Sequence, residues 1–125
     1  MDAEQKEPQK TTIDVDYSKI RELHDQVTVR GVSVYNDKRI LTSLVSDIFA
    51  TNEKLLNILK IVIDGNEATE LAKLLSLDVS EQKIGIKRIC NRFAERFSIK
   101  PSRVAEALYV LASGLGMNES ALSDI

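Results

Sequence analysis

An all-α fold, a compact bundle of about six short helices, is predicted by three observations. Apolar residues recur at 3/4 spacing in one segment after another. Asx, Ser and Pro residues stand where those segments begin, and Gly residues mark where most of them end. The connections left between them are about 2–6 residues long, the length that joins neighbouring helices.

The elements follow in order. Residues 1–15 are polar, carry Pro8 and lack apolar periodicity, so they read as a disordered lead-in or linker. Asp16 or Ser18 caps a first helix bearing Tyr17, Ile20, Leu23 and Val27. The β-branched run Val27, Thr28 and Val29 weakens its end, and Gly31 stops it. Val32–Tyr35 reads as a short extended connection, with Asn36 or Asp37 as the next cap. Ile40, Leu41, Leu44, Val45, Ile48 and Phe49 then make one apolar stripe opposite Lys38, Arg39, Ser43 and Ser46. Thr51 or Asn52 opens the helix 52–64, where Leu55, Leu56, Ile58, Leu59, Ile61, Val62 and Ile63 leave almost no polar face. A helix apolar nearly all round belongs at the centre, so 52–64 is expected to be the most buried element.

Asp64-Gly65-Asn66 ends that helix at Gly65 and restarts the chain with Asn66 as cap. A short helix with Ala68, Leu71, Leu74 and Leu75 follows. The closing hairpin spans 81–115. Ser80 and Glu81 open its first helix, on which Ile86, Ile89, Cys90, Phe93 and Phe97 form the stripe. Ser98-Ile99-Lys100 is the turn. Pro101 takes the first position of the second helix, where a missing N–H costs nothing. Val104, Ala107, Leu108, Leu111 and Leu115 form the last stripe, and Gly114 and Gly116 mark its end. Residues 16–116 thus make a single helical domain, and 117–125 read as a flexible tail.

Composition bounds what this domain can be. With 43% apolar residues it can fill one core, and with 5% aromatics that core must be mainly aliphatic. Cys90 is the only cysteine, so no internal disulfide forms, and a lone thiol suits a reducing compartment. No stretch approaches the ~18 apolar residues of a membrane span, and the N-terminus lacks the apolar centre of a signal peptide. A cytoplasmic protein is expected. Charge is uneven: Lys83 to Arg103 carries +6, leaving −8 on the rest of a chain whose net charge is −2.

The usual chemistry is missing from the sequence. His24 is the only histidine, which leaves a His-based metal site without ligands, and a solvated position suits it. Cys90 lies on an apolar stripe and reads as a small core residue. Asp47, beside a strongly apolar stripe, is expected to be partly buried and bonded to a neighbouring helix end. One carboxylate does not make an acid/base pair. The glycines are too scattered for a phosphate loop. No enzyme activity, cofactor or metal is expected.

One local pattern carries a possible function. Segment 92–112, from Phe93-Ala94 through Ser98-Ile99 to Val104, is similar to a helix-turn-helix in register, and the basic charge lies in the same place. Against DNA reading, Ser98 stands where the turn usually has Gly, and Glu106 would repel phosphate. The helix then becomes Ala107-Leu108-Tyr109-Val110-Leu111-Ala112, too apolar for a groove and built to be covered on two sides. Arg88, Arg92 and Arg96 share one face at i, i+4, i+8. They are either a solvated face paired with acidic helices or, with Lys100 and Arg103, a partner-binding stripe for an acidic protein surface or nucleic acid.

The order of these features resembles a small all-α bacterial module appended to multidomain signalling and conflict-system proteins. The matching parts are Gly31 after the first helix, Asn36-Asp37, Ile40-Leu41 through Leu44 to Asp47-Ile48, and Leu55–Ile63. They continue with Arg88-Ile89-Cys90-Asn91-Arg92-Phe93, Phe97-Ser98-Ile99, Val104-Ala105-Glu106-Ala107 and Ala112-Ser113-Gly114-Leu115-Gly116. The pattern spans about three-quarters of the chain, and Leu111 stands where such modules often have Trp. The resemblance implies a non-catalytic adaptor or effector-associated role, with another protein or a second copy as partner. A nucleic-acid-binding regulator is the alternative.

Overall fold

A computed structural model describes residues 16–122; the lead-in 1–15 and the last three residues of the tail lie outside the described residues. Seven α-helices and no strand occur among them: α1 (Tyr17–Arg30), α2 (Lys38–Ile48), α3 (Glu53–Asp64), α4 (Glu67–Lys73), α5 (Val79–Phe97), α6 (Pro101–Gly114) and α7 (Glu119–Leu122). The all-α bundle is as the stripes predict.

Side-chain caps set most of the helix starts. Asp16 accepts from the Ser18 amide at 2.9 Å and from its hydroxyl at 2.6 Å, and these bonds hold its carboxyl below the ordinary carboxylate range. Asp37 caps α2 through the Ile40 amide, and Asn52 caps α3 through the Leu55 amide. Asp78, not Ser80, starts α5, accepting from the Glu81 amide at 2.9 Å. Asn66 makes no capping bond. Asn66 itself takes the left-handed conformation, so the Asx residue turns the chain and Gly65 keeps an ordinary φ of −83°. Gly31 has φ 94° and ψ 152°, a region closed to side-chain-bearing residues, and the chain there winds into a 3₁₀ turn, Val32–Asn36, rather than an extended link.

The centre of the bundle is α6, not the 52–64 segment. Val104, Ala107, Leu108, Val110, Leu111 and Ala112 are wholly buried, and the helix packs against α1, α3, α4, α5 and α7. Helix α3 buries Leu55, Leu56, Leu59, Val62 and Ile63 but exposes Lys54, Asn57, Lys60, Ile61 and Asp64. Its few polar residues fall at helical spacing on one side, so a small number of them suffices to keep that side in water.

Small residues let the neighbours close on α6. A Cβ on Gly114 would lie 2.7 Å from Leu23 Cδ2 and 2.8 Å from the Tyr35 hydroxyl oxygen. Tyr35, fully buried, donates its hydroxyl to the Leu111 carbonyl at 2.6 Å, and burial pushes that phenol far above its ordinary range. Thr69 on α4 donates to the Tyr35 carbonyl at 3.0 Å, tying the 3₁₀ turn to a third element.

Both ends of the hairpin close in the same way. At α5, Ser98 adopts φ 53° while the Ile99 amide reaches the Ala94 carbonyl at 3.0 Å. At α6, Gly116 adopts φ 82° while the Met117 amide reaches the Ala112 carbonyl at 3.1 Å. This second turn drives Met117 into the core, and Ala121 and Leu122 follow it. Residues 117–122, expected to be a frayed tail, are therefore a turn and a packed one-turn helix. Phe97, expected on the buried stripe, is partly exposed, as are Ile40 and Ile61. Asp47 is exposed rather than partly buried.

Two substitutions test this frame in opposite directions. Gly114→Ala should destabilise the fold by about 1–3 kcal/mol, because the added methyl must displace Leu23 or Tyr35. Ser98→Gly should stabilise it by about 1 kcal/mol by relieving a left-handed serine. Urea unfolding of both variants reads the two effects, and a neutral Gly114→Ala would contradict the close approach of α1 to α6.

Candidate functional site

Helix α5 is the longest element and presents two different edges beside its buried face of Gly85, Ile86, Ile89, Cys90, Phe93 and Ala94. The first edge carries the arginine stripe. Arg92 is engaged within the fold: its guanidinium bonds the Glu70 carboxylate on α4 and lies 3.7 Å from Glu67. Arg96 stacks over the Phe97 ring, 5.0 Å from its centroid. Together with Lys60, Ile61, Asp64, Gly65 and Asn66 these two line a shallow depression of about 480 Å³. Arg88 is exposed one turn before Arg92. Lys100 and Arg103 are exposed at the start of α6. The five basic residues picked from the sequence thus divide: Arg92 is engaged beside α4 and Arg96 on an aromatic ring, Arg88 is exposed on the same helix, and the exposed Lys100 and Arg103 sit past the turn.

A second carboxylate near Arg92, Glu67, gave no sign of itself in the sequence. Glu67 is 2% exposed, and its Oε1 has no hydrogen-bond partner. It fits because Gly65 has no side chain; a Cβ there would overlap Oε1. Burial raises its pKa above the ordinary value, and Glu70 beside it adds to the rise. Its own backbone amide and the positive charges of Arg92 and Arg96 pull the other way without cancelling it. Position 67 reads as an ordinary acidic first-turn residue; only the fold of α4 against α5 buries it.

The second edge of α5 borders a groove closed by the start of α6 and by α7. Its volume is about 600 Å³. Ile84, 59% exposed, stands on the lip with Lys83 and Lys87, while Ile86, Cys90 and Ala105 form the floor and Ala121 the far wall. Sequence reasoning passed over Ile84 because it is off the α5 stripe. That displacement, an isoleucine between lysines on the polar side, is the signal that could have found it.

The arrangement offers contact chemistry more than bond-making chemistry. The Cys90 thiol donates to the Pro101 carbonyl at 3.5 Å, and burial raises its pKa, away from the reactive thiolate. His24 Nδ1 lies 3.1 Å from the Gly114 carbonyl. A carbonyl only accepts, so Nδ1 carries the proton. Pro101 and Gly114 bound α6, a 14-residue helix, so Cys90 and His24 are held about 20 Å apart at 1.5 Å per residue. Among the described residues no group of three His, Cys, Asp or Glu side chains is placed to hold a metal ion, and no helix is long and apolar enough to cross a membrane.

The raised pKa of Glu67 fixes the sign of a pH effect. Its protonated form is favoured in the fold, so its contribution to stability is full below the unfolded value near 4.5 and is lost as pH rises through the higher folded value. Glu67→Gln should remove that loss, giving a denaturation midpoint flatter than the parent's from pH 4.5 toward neutrality. A midpoint profile parallel to the parent's would mean that Glu67 ionises freely.

The chain matches no protein-family model, no curated protein and no solved structure.

Proposed function

We propose that this chain is a non-catalytic protein–protein interaction module, of the adaptor or effector-associated kind, acting through the helix face formed by α5, the start of α6 and α7. The observation that carries this reading is the groove beside Ile84: a mainly apolar hollow, ringed by polar side chains, on an otherwise polar helix face. The resemblance to appended bacterial modules points the same way. Arg92 belongs to the scaffold in this reading, holding α5 to α4.

The nucleic-acid alternative keeps the exposed Lys100 and Arg103 but has no helix to place in a groove. The apolar run of α6 that would have to enter it is covered by five other helices.

A photo-crosslinking residue placed at Ile84 should capture a partner protein in cells. The same residue at Val29 on α1, 82% exposed, should not. Equal labelling from both sites, or none from Ile84, would remove the groove as the interaction face.

A further inference from the structure

We infer that Glu67 and Gly65 form a proton-operated switch at the α4–α5 seam. When protonated, the Glu67 side chain lies buried against Gly65; when ionised, it swings past that glycine into the depression lined by Lys60 and Arg96. The device is separate from the groove beside Ile84 and does not depend on it.

The first observation is a carboxyl group without the bonds a carboxylate needs. Glu67 is the only acidic side chain buried among the described residues. Its Oε1 has no hydrogen-bond partner, and its Oε2 lies 3.7 Å from the Arg92 guanidinium, beyond hydrogen-bond length. Arg92 gives its hydrogen bond to Glu70 instead. A neutral carboxyl in this position leaves a weak acceptor unpaired. An ionised one leaves a buried charge unsatisfied, which is far more costly, so ionisation favours any position that restores water or a close cation.

The second observation is the way out. Oε1 fills the space where a side chain at position 65 would begin, and only glycine leaves that space open. Gly65 also lines the depression of about 480 Å³. The buried oxygen and the nearest hollow thus meet at the same residue, and rotation of a flexible glutamate side chain is enough to pass from one to the other.

The third observation is the charge on either side. On its own helix Glu70 repels an ionised Glu67, while Arg92 and Arg96 on α5 attract it. Burial outweighs both arginines, so the proton is held above the ordinary carboxylate value. Helix α3 adds Lys60 and Asp64 to the depression. At the same end Lys38 of α2 donates to the Asp64 carbonyl at 2.8 Å. The 3₁₀ turn brings Tyr35, whose hydroxyl is taken by the Leu111 carbonyl, and α6 buries apolar side chains. Around the depression, Lys60 and Arg96 stand against Asp64 alone among the described residues. An ionised Glu67 therefore gains both water and opposite charge by moving outward.

The test is an NMR titration of the full chain with isotope-labelled side chains, from acid to neutral pH, over the range in which the amide spectrum stays dispersed. The Glu67 carboxyl should titrate above 4.5. Proton contacts from its side chain to Lys60 and Arg96 should be absent below that midpoint and appear above it. Gly65→Ala keeps a backbone conformation open to alanine, with φ −83°, but sets a methyl on Oε1. It should hold Glu67 outside at every pH, giving the contacts throughout and returning the midpoint to the ordinary value. Should that variant fail to fold, the parent titration decides alone. Three results would overturn the proposal: an ordinary Glu67 midpoint in the parent, contacts that do not change across the titration, or a raised midpoint that survives in folded Gly65→Ala.

Discussion

The bundle depends on how closely other elements can approach α6. Ala107, Ala112 and Gly114 keep its flanks low, and the Tyr35 hydroxyl locks onto the Leu111 carbonyl in the interior. That bond ends a chain of constraints running from Thr69 through the Tyr35 backbone to the last turn of α6. A buried phenol is stabilising only when its hydroxyl is satisfied. Here the partner is a carbonyl of the central helix, so this bond and the Thr69 bond together fix the 3₁₀ turn, α4 and α6 relative to one another. The surrounding aliphatic side chains then fill space around a frame already defined by polar geometry.

Much of this was legible in the sequence, for reasons that differ by element. Helices α2, α5 and α6 announce themselves because each carries a sustained stripe and a clear start or stop, such as Asp37, Pro101 or Gly116. The ranking of burial was not legible. Counting apolar residues favours α3, yet what decides burial is whether the remaining polar residues can share one side, and in α3 they do. In α6 the small residues read as neutral fillers although they permit the tightest packing. The end of the chain escaped notice because α7 is too short to show a period; only the turn at Gly116, continuing into Met117, explains why it folds back.

The candidate site was legible in part. The basic excess between Lys83 and Arg103 was visible, but a linear segment winds around a helix and faces several directions. Three-dimensional placement splits it into a scaffold edge, where Arg92 meets Glu67 and Glu70, and a groove edge with Lys83 and Lys87. Charge counting alone cannot separate these roles, because pairing depends on what α4 presents across the gap. The same holds for Glu67, whose burial is a property of two helices together.

Helix α7 has one further consequence. A four-residue helix has no stability of its own, so it exists through the seating of Met117, Ala121 and Leu122. The groove consequently has two permanent walls and one conditional wall. Opening of that last turn is a local event that leaves the α6 core intact, and it erases the groove without unfolding the domain. The far wall of the groove thus rests on the seating of three side chains, Met117, Ala121 and Leu122.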